Sequence, residues 1–342
     1  IKLSEFTLHT NAALRTLLEA VFDDDEVVLI EGDAGLAAAF STLPFDHLLF
    51  TGSTAVGRQV MAAAAPQLTP LTLELGGKSP CLIAPDMPLA LAVERMIFGK
   101  SLNAGQICVA PDYVLLPRGR EGEFAQAYAA AVARLFPTIE GNGDYASIIT
   151  ARHHARLRTM LQQAQTQGAE VQTIDPTAGK PVVHTTGTLG DGVSRQMLPT
   201  LVFGATSAMQ LMQEEIFGPI LPMITVKDLD DAIDFINSKS KPLALYVFSE
   251  NTLVRRAFTE RTSSGAIGFN VAILHLSVPG LPFGGVGESG IGAYRGKRSF
   301  DTFSHEKAIL SKPLKPETLA LVYPPFTESK KKLITGLLRK LS

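Results

Sequence analysis

Short apolar segments alternate with helix-like segments along this chain, and that alternation constrains its fold more than any other feature of the sequence. Apolar residues at helical spacing predict a helix over residues 10–22, with Thr10 or Asn11 as its N-cap. Short strands are predicted at residues 27–30, 47–50 and 71–75. Helices are predicted between them, at residues 36–43 and 58–65. This order predicts an α/β fold with a doubly wound, mostly parallel sheet.

The same alternation returns further along the chain and predicts a second α/β unit. Its predicted helices lie at residues 91–104, 123–136, 228–238 and 252–262. Its predicted strands lie at residues 113–116, 220–226, 243–249 and 265–270. With 342 residues, the chain is long enough for roughly two domains around a large core.

Composition and charge exclude several classes of function. Hydrophobic residues make up 46% of the chain and charged residues 19%, which indicates a globular protein rather than a disordered one. The formal net charge of −2 gives no electrostatic basis for a nucleic-acid partner. We find no secretory signal and no apolar run long enough to cross a bilayer. Because the two cysteines form neither a disulfide framework nor a metal-ligand pattern, we predict a cytoplasmic protein without a metal site.

The segment FTGSTAVGRQV places two glycines, Gly52 and Gly57, around a short turn between a predicted strand and a predicted helix. Glycine lets the backbone approach a ligand closely, and a helix N-terminus offers N–H groups to a pyrophosphate. Ser53 could cap the helix or bind a phosphate oxygen. An ordinary strand–helix turn has the same composition, so the local sequence leaves both interpretations open.

Two other patterns favour structural interpretations. GVGESG, residues 285–290, satisfies the dinucleotide pattern G-x-G-x-x-G, but a loop sequence precedes it and no acidic residue follows at the required distance. It predicts a loop that packs tightly beside a site. His153 and His154 are adjacent and would face different sides of a helix, which argues against a metal site.

Cys108 lies in the polar stretch LNAGQICVAPD, whereas Cys81 lies on a predicted strand and is predicted to be a packing residue. A catalytic cysteine must become a thiolate, and an acyl intermediate needs a general base to activate water. Glu74 ends a buried-looking strand before two glycines, and Glu215 precedes an apolar run. Partial burial would raise the pKa of Glu74 towards that of a useful base. Taken singly, each glutamate also fits a solvated turn carboxylate.

The four segments ELGGK, GQ-x-C, EEIFGP and PFGG-x-G-x-S-G-x-G occur here in an order and spacing that resemble the aldehyde dehydrogenase superfamily. The resemblance runs from Lys2 to about Pro325. GQICVAPDY, KPLALYVFS and SFDTFSH resemble the class-three branch, which includes coniferyl and fatty aldehyde dehydrogenases. The resemblance implies a homodimer that oxidises an aromatic, medium-chain or long-chain aldehyde to its carboxylic acid through a cysteine thioester.

The resemblance also implies roles for particular residues. Cys108 would be the nucleophile and Glu74 the base, and the Cys108 backbone N–H would help to stabilise the oxyanion. The implied cofactor-binding residues are Lys2, Glu5, Gly52, Ser53, Thr54, Ala55, Val56, Gly57, Glu215 and Phe217. Glu5 suits a ribose 2′-hydroxyl and favours NAD, although NADP is also used in the class-three branch. Leu3 stands where the family has a proline.

The family has a further amino-terminal part that supplies strands and an asparagine of the oxyanion hole, and no residue here is assigned to it. We therefore expect a Rossmann-like cofactor domain that is incomplete at its amino end, with a second α/β catalytic domain, and low activity from these residues alone. The expected boundaries are 1–75 for the cofactor domain, 76–288 for the catalytic domain and 289–342 for a segment that returns to the cofactor domain.

The chain ends in a basic amphipathic stretch, residues 328–341, that predicts a helix too short to span a bilayer. Docking on protein is the favoured interpretation; a dimer contact or substrate gate and a weak membrane contact are alternatives. Two rival functions are a non-catalytic dinucleotide-binding relative and a cysteine acyltransferase or thioesterase. The joint presence of Cys108, Glu74 and Glu215 argues against the first, and the second leaves GSTAVG without a purpose.

Overall fold

Strands and helices alternate along the part of the chain described by the structure, a computed structural model covering residues 1–178, 182–184 and 194–341. The strands are β1 (Leu48–Thr51), β2 (Leu71–Glu74), β3 (Pro80–Ile83), β4 (Tyr113–Pro117), β5 (Glu170–Thr173), β6 (Val182–His184), β7 (Thr200–Phe203), β8 (Ile220–Val226), β9 (Ala244–Phe248), β10 (Ala266–Phe269) and β11 (Gly290–Ile291). The helices are α1 (Leu8–Glu19), α2 (Ala34–Phe40), α3 (Thr54–Ala64), α4 (Leu89–Ser101), α5 (Glu121–Leu135), α6 (Ala151–Thr166), α7 (Leu229–Asn237), α8 (Thr252–Arg261), α9 (Lys297–Thr302) and α10 (Glu328–Leu341).

The larger sheet has the strand order β10-β9-β3-β4-β8-β7-β5-β6. Its strands pair in parallel from β10 to β7, and β5 then pairs antiparallel with both β7 and β6. Successive residues of the central strands contribute to two different apolar clusters: Leu82 belongs to one, while Cys81 and Ile83 belong to the other. Because side chains alternate across a strand, both faces of this sheet are covered, as the predicted doubly wound architecture requires.

The smaller sheet has the order β1-β2-β11, with β1 and β2 parallel and β11 antiparallel to β2. Helix α3 packs beside this sheet, and a Cβ atom added at Gly57 would lie only 2.6 Å from Leu75 Cδ2. This close approach places the start of α3 next to the carboxyl end of β2. The strands of this sheet come from residues 48–74 and 290–291, and those of the larger sheet from residues 80–269.

Two predictions near the start of the chain are wrong. Residues 27–30 do not form a strand: Ile30 makes only an isolated bridge with Lys2, and Val28 is 52% exposed. No strand of the described residues pairs along this segment, and a lone pairing is too weak to order one. Helix α1 begins earlier than predicted, with Thr7 as its N-cap, and Asn11 lies inside the helix with its side-chain amide donating to Ser4 O at 2.7 Å.

Residues 304–342 form a separate unit in which the predicted helix is present as α10. Among the described residues, no helix is long and apolar enough to cross a membrane.

Candidate active site

The end of β2 forms the centre of the candidate site. Glu74 is its last residue and is only 3% exposed, and neither of its carboxylate oxygens has a hydrogen-bond partner. Burial raises the pKa of Glu74 to about 7, and the positive charge of Arg295 opposes that rise. A carboxyl with this pKa can accept a proton near neutral pH, as its position before two glycines predicted.

The two glycines after Glu74 form the seat of the second predicted glutamate. A side chain at Gly76 would collide with the Glu215 carboxylate, so any larger residue there would displace that carboxylate. Burial raises the pKa of Glu215 to about 8, and the charge of Asp112 adds to the rise, while the backbone N–H of Gly77 favours the ionised form. Glu74 is thus buried and Glu215 partly buried, and both carboxyls have raised pKa values at the same strand end.

Cys108 lies in the loop that connects α4 to β4. The chain leaves α4 through Asn103, Ala104 and Gly105, which all have positive φ (50°, 52° and 74°). A side chain at Gly105 would collide with the carbonyl of Gly218, so glycine permits the close approach of these two loops.

A buried glutamine fixes this loop to the segment after α5. Gln106 donates through Nε2 to Asn103 O at 3.0 Å and to Ser147 O at 3.1 Å. Its Oε1 accepts from the backbone N–H of Ile149 at 2.9 Å. With three hydrogen bonds from one side chain, the residue two positions before Cys108 is held in place.

The Cys108 thiol is half-buried and lies within electrostatic range of both glutamates. Burial raises its pKa to about 11; the charges of Glu215 and then Glu74 add to the rise, and the backbone N–H groups of Cys108 and Val109 favour the thiolate. The thiol is therefore protonated at neutral pH and needs a base when it reacts. Cys81 is fully buried, which raises its pKa far above the usual range, as expected of a packing residue.

A buried ion pair joins the segments that carry these three side chains. Lys78, four residues after Glu74, contacts Asp112 Oδ2, and both side chains are less than 10% exposed. Lys78 also donates to Leu211 O at 2.6 Å, and Asp112 Oδ1 accepts from the backbone N–H of Ile216 at 2.9 Å. One ion pair thus connects the end of β2, the cysteine loop and the loop of Glu215.

Arg156 on α6 holds the loop of Glu215 from another side. Its guanidinium donates to the carbonyl of Glu215 at 3.2 Å and also to that of Ile216. Phe217, the next residue, has a φ of +52°, so the chain turns sharply there before β8. The sequence analysis missed Arg156 because it considered this helix only for its two histidines.

The GSTAVG turn lies beside the end of β2. The Gly52 backbone N–H donates to Glu74 O at 3.0 Å, and Ser53 Oγ accepts from the N–H of Val56 at 3.4 Å, which confirms the predicted cap. Thr54 Oγ1 donates to Glu288 O at 3.0 Å. The N-terminus of α3 thus lies next to Glu74, and the N–H groups at a helix N-terminus suit an anionic group such as a pyrophosphate.

Two other predicted features have different surroundings. Lys2 and Glu5 form a partly exposed ion pair at 3.1 Å, and no hydrogen bond of the described residues links them to Glu74, Cys108 or Glu215. The GVGESG loop leads into β11, where Gly290 pairs with Glu74, so the expected tight packing beside the site is confirmed. No cluster of three or more potential metal ligands occurs among the described residues.

In this α/β fold, a thiol and two carboxyls with raised pKa values lie near one strand end, beside a helix N-terminus. Groups of these types can serve as a nucleophile and as bases. The profile described as "Aldehyde dehydrogenase family" matches residues 1–309. The chain belongs to the aldehyde dehydrogenase family, whose activity is the NAD(P)-dependent oxidation of an aldehyde.

Similar curated proteins come from bacteria and mammals. A "Probable coniferyl aldehyde dehydrogenase" of Pseudomonas aeruginosa is 44% identical over 337 residues, which are 98% of this chain and 68% of that protein. "Aldehyde dehydrogenase family 3 member A2" of Mus musculus is 43% identical and shares 96% of this chain and 65% of its own length. The mouse "Aldehyde dehydrogenase, dimeric NADP-preferring" is 42% identical over 95% of this chain and 68% of its own.

Solved structures have the same fold. The structure titled "Substrate bound state of Staphylococcus Aureus AldH" has a TM-score of 0.87 and 37% identity, and covers 99% of this chain and 70% of its own. A Mycobacterium tuberculosis aldehyde dehydrogenase complexed with NAD+ has a TM-score of 0.77 and 29% identity, over 91% of this chain and 62% of its own. The predicted class-three resemblance and α/β fold are thus confirmed.

Replacing Lys78 with Met should destabilise the protein by about 3–5 kcal/mol, because Asp112 then stays buried without its partner. Denaturant unfolding measures the effect. The double variant Lys78→Met/Asp112→Asn should recover part of the loss, since the amide is neutral and still accepts from Ile216 N–H. Lys227→Met is the matched control, because Lys227 is 80% exposed and lies 3.7 Å from Asp228. A loss no larger than that of the control would contradict the role of the pair.

Glu74→Gln should change how stability depends on pH. The pKa of Glu74 is about 7 in the folded protein and 4.5 in the unfolded chain. The group therefore makes its whole contribution to the free energy of unfolding below pH 4.5 and loses it as the pH rises through 7. The variant should therefore gain about 2–3 kcal/mol relative to the parent protein between pH 5 and pH 8. The exposed Glu140→Gln is the control. If the unfolding free energies of variant and parent changed with pH in the same way, Glu74 would not be an ionised group that destabilises the fold.

Proposed function

We propose that the chain oxidises an aldehyde to its carboxylic acid, with Cys108 as the nucleophile and Glu74 as the base of the hydrolytic step. The observation that carries the proposal is the position of the Cys108 thiol within electrostatic range of two carboxyls, one buried and one partly buried, whose pKa values are raised to about 7 and 8. A surface thiol or a packing thiol has no such neighbours.

The chemistry follows from these groups. The Cys108 thiol gives its proton to a base, and the sulfur bonds to the aldehyde carbon. The negative oxygen that forms is stabilised by the Cys108 backbone N–H, and one such donor is typically worth about 3 kcal/mol. Bound NAD(P) supplies the hydride acceptor. Glu74 then takes a proton from water, whose oxygen attacks the thioester carbon, and the carbon–sulfur bond breaks to release the acid.

The cofactor fits the residues that surround this strand end. Gly52, Ser53, Thr54, Ala55, Val56 and Gly57 offer a glycine-led helix N-terminus to its pyrophosphate. Glu215 and Phe217 would hold its nicotinamide ribose and ring, and Lys2 and Glu5 its adenosine ribose.

We also propose the domain division 1–75, 76–288 and 289–342, which the strand membership of the two sheets supports.

The proposed substrates are aromatic aldehydes, with medium-chain and long-chain aldehydes as the alternative. The relative named for coniferyl aldehyde supports the aromatic class. The name of the dimeric mouse relative supports a homodimer. We also propose a cytoplasmic location. A thioesterase with the same thiol would release acid without reducing a cofactor, so an assay of NADH or NADPH formation separates the two functions.

Cys108→Ala should lower NADH formation from an aldehyde by at least ~10³-fold, because the carbon–sulfur bond can no longer form. Cys81→Ala should keep most of the activity, since that thiol only packs in the core of the larger sheet. Absorbance of NADH during turnover measures both variants. Equal losses from the two substitutions would contradict the assignment of Cys108.

Glu74→Gln should slow hydrolysis of the thioester about 10²–10⁴-fold and leave hydride transfer less affected, because an amide cannot accept the proton of water. Stopped-flow measurements should then show a burst of NADH followed by a slow steady state. The base role of Glu74 would be wrong if the variant showed no burst and kept the parent's steady rate.

A further inference from the structure

The hydroxyl of Tyr246 joins the core of the larger sheet to the loop that carries Cys108. Tyr246 is the third residue of β9, and its side chain is fully buried. Its hydroxyl donates to the carbonyl of Val109, the residue directly after Cys108, at 2.6 Å. The proposed reaction gives Tyr246 no part, but this hydrogen bond connects it to the residue next to the nucleophile.

Cys108 and Val109 are the two central residues of a tight turn. The backbone N–H of Ala110 donates to the carbonyl of Ile107 at 2.9 Å, which closes the turn across them. Val109 is fully buried, so its carbonyl needs a hydrogen-bond donor from the protein. The Tyr246 hydroxyl is such a donor, and it fixes the second half of the turn.

Two buried side chains thus hold the cysteine loop at different points. The three hydrogen bonds of Gln106 hold the chain just before the turn. The hydrogen bond of Tyr246 holds the turn itself, one residue beyond Cys108. Loss of the second contact would leave the start of the loop anchored while the turn gained freedom to rotate.

The ring of Tyr246 has little room to move. Gly268 on β10 and Cys81 on β3 are its partners on the two neighbouring strands. A Cβ atom at Gly268 would lie 3.0 Å from Tyr246 Cδ1, and the ring centre of His275 lies 6.2 Å from that of Tyr246. A ring packed this closely holds its hydroxyl at a fixed point.

We propose that Tyr246 is a positioning residue for Cys108: its hydroxyl holds the Val109 carbonyl and thereby keeps the turn that carries the thiol in its reactive arrangement. The inference rests on the proposed role of Cys108 as the nucleophile. The backbone N–H of Val109 belongs to the same turn and favours the thiolate, so a turn that rotated freely would lose this support. Tyr246 acts by position and not as an acid, because burial raises the pKa of its hydroxyl far above the usual range.

Removal of the hydroxyl should lower the reactivity of Cys108 without unfolding the protein. Phenylalanine keeps the ring, so Tyr246→Phe leaves only the Val109 carbonyl without its donor. Because the thiolate is the reactive form, alkylation of Cys108 and the NADH burst should each slow by about 3- to 10-fold, the factor expected for one hydrogen bond. The steady NADH rate should fall less wherever the hydrolytic step limits it.

The matched control is Tyr145→Phe. Tyr145 is also buried, and its hydroxyl donates at 2.9 Å to the carbonyl of Met197, which lies outside the cysteine loop. Each variant loses one buried hydrogen bond of the same kind, so denaturant unfolding should show similar losses of stability. A role in stability alone would therefore not separate the two variants.

The first readout is the rate at which iodoacetamide alkylates Cys108 at one fixed pH, followed by mass spectrometry of the labelled peptide. Cys81 is buried and Cys108 partly exposed, so the reagent distinguishes the two thiols. The second readout is the rate of the NADH burst in stopped-flow measurements. Tyr246→Phe should slow both reactions, whereas Tyr145→Phe should leave both near the parent rates.

Parent rates in Tyr246→Phe would overturn the proposal, and so would equal slowing in Tyr145→Phe. Faster alkylation in Tyr246→Phe would also overturn it, because the hydrogen bond would then shield the thiol rather than support its reaction. A parent protein that forms no NADH would refute the proposed function, but alkylation needs no turnover and would still decide whether Tyr246 controls the Cys108 thiol.

Discussion

The buried ion pair of Lys78 and Asp112 is the interaction on which the rest of the site depends. It joins a strand end, the cysteine loop and the loop of Glu215, which are far apart in the sequence. A buried pair is not retained for stability alone, because well-packed apolar residues often do as well. Its value here is geometric: each partner also binds backbone groups of the Glu215 loop, so the three candidate side chains, Glu74, Cys108 and Glu215, keep one arrangement.

The two carboxyls of the site lower the free energy of unfolding when they are ionised. Two carboxyls, Glu74 and Glu215, have pKa values of about 7 and 8, so at neutral pH part of each population is ionised. An ionised carboxylate that has lost part of its hydration destabilises a fold, most of all where it has no hydrogen-bond partner, as at Glu74, and here the penalty grows between pH 4.5 and 8. The surrounding sheet, covered on both faces, supplies the stability that offsets this penalty.

The local pattern of apolar residues predicted best those strands and helices that are buried along most of their length. The strand predicted at 220–226 is β8 with the same bounds, because an unbroken apolar run suits a strand covered on both faces. Residues 27–30 have a similar composition, but among the described residues they make only the isolated bridge of Ile30 with Lys2, so composition alone was misleading. Strands β5 and β7, which pair antiparallel with each other, were not predicted, and the helix that became α6 was considered only at His153 and His154. Motifs located Cys108, Glu74 and Glu215, but contacts across 34 to 133 positions, such as those of Lys78, leave no local signal.

The charges around Cys108 make its resting state unreactive. A thiol with a pKa of about 11 must give its proton to carboxylates with pKa values of about 7 and 8, a transfer that is unfavourable by about 4 kcal/mol or more. A positive charge brought to the sulfur would reduce that cost, since an opposite charge favours the thiolate. The oxidised nicotinamide ring is such a charge. In the proposed reaction, Glu74 and Glu215 thus raise the pKa of the thiol that must react, and a cationic cofactor close to the sulfur would lower that pKa again.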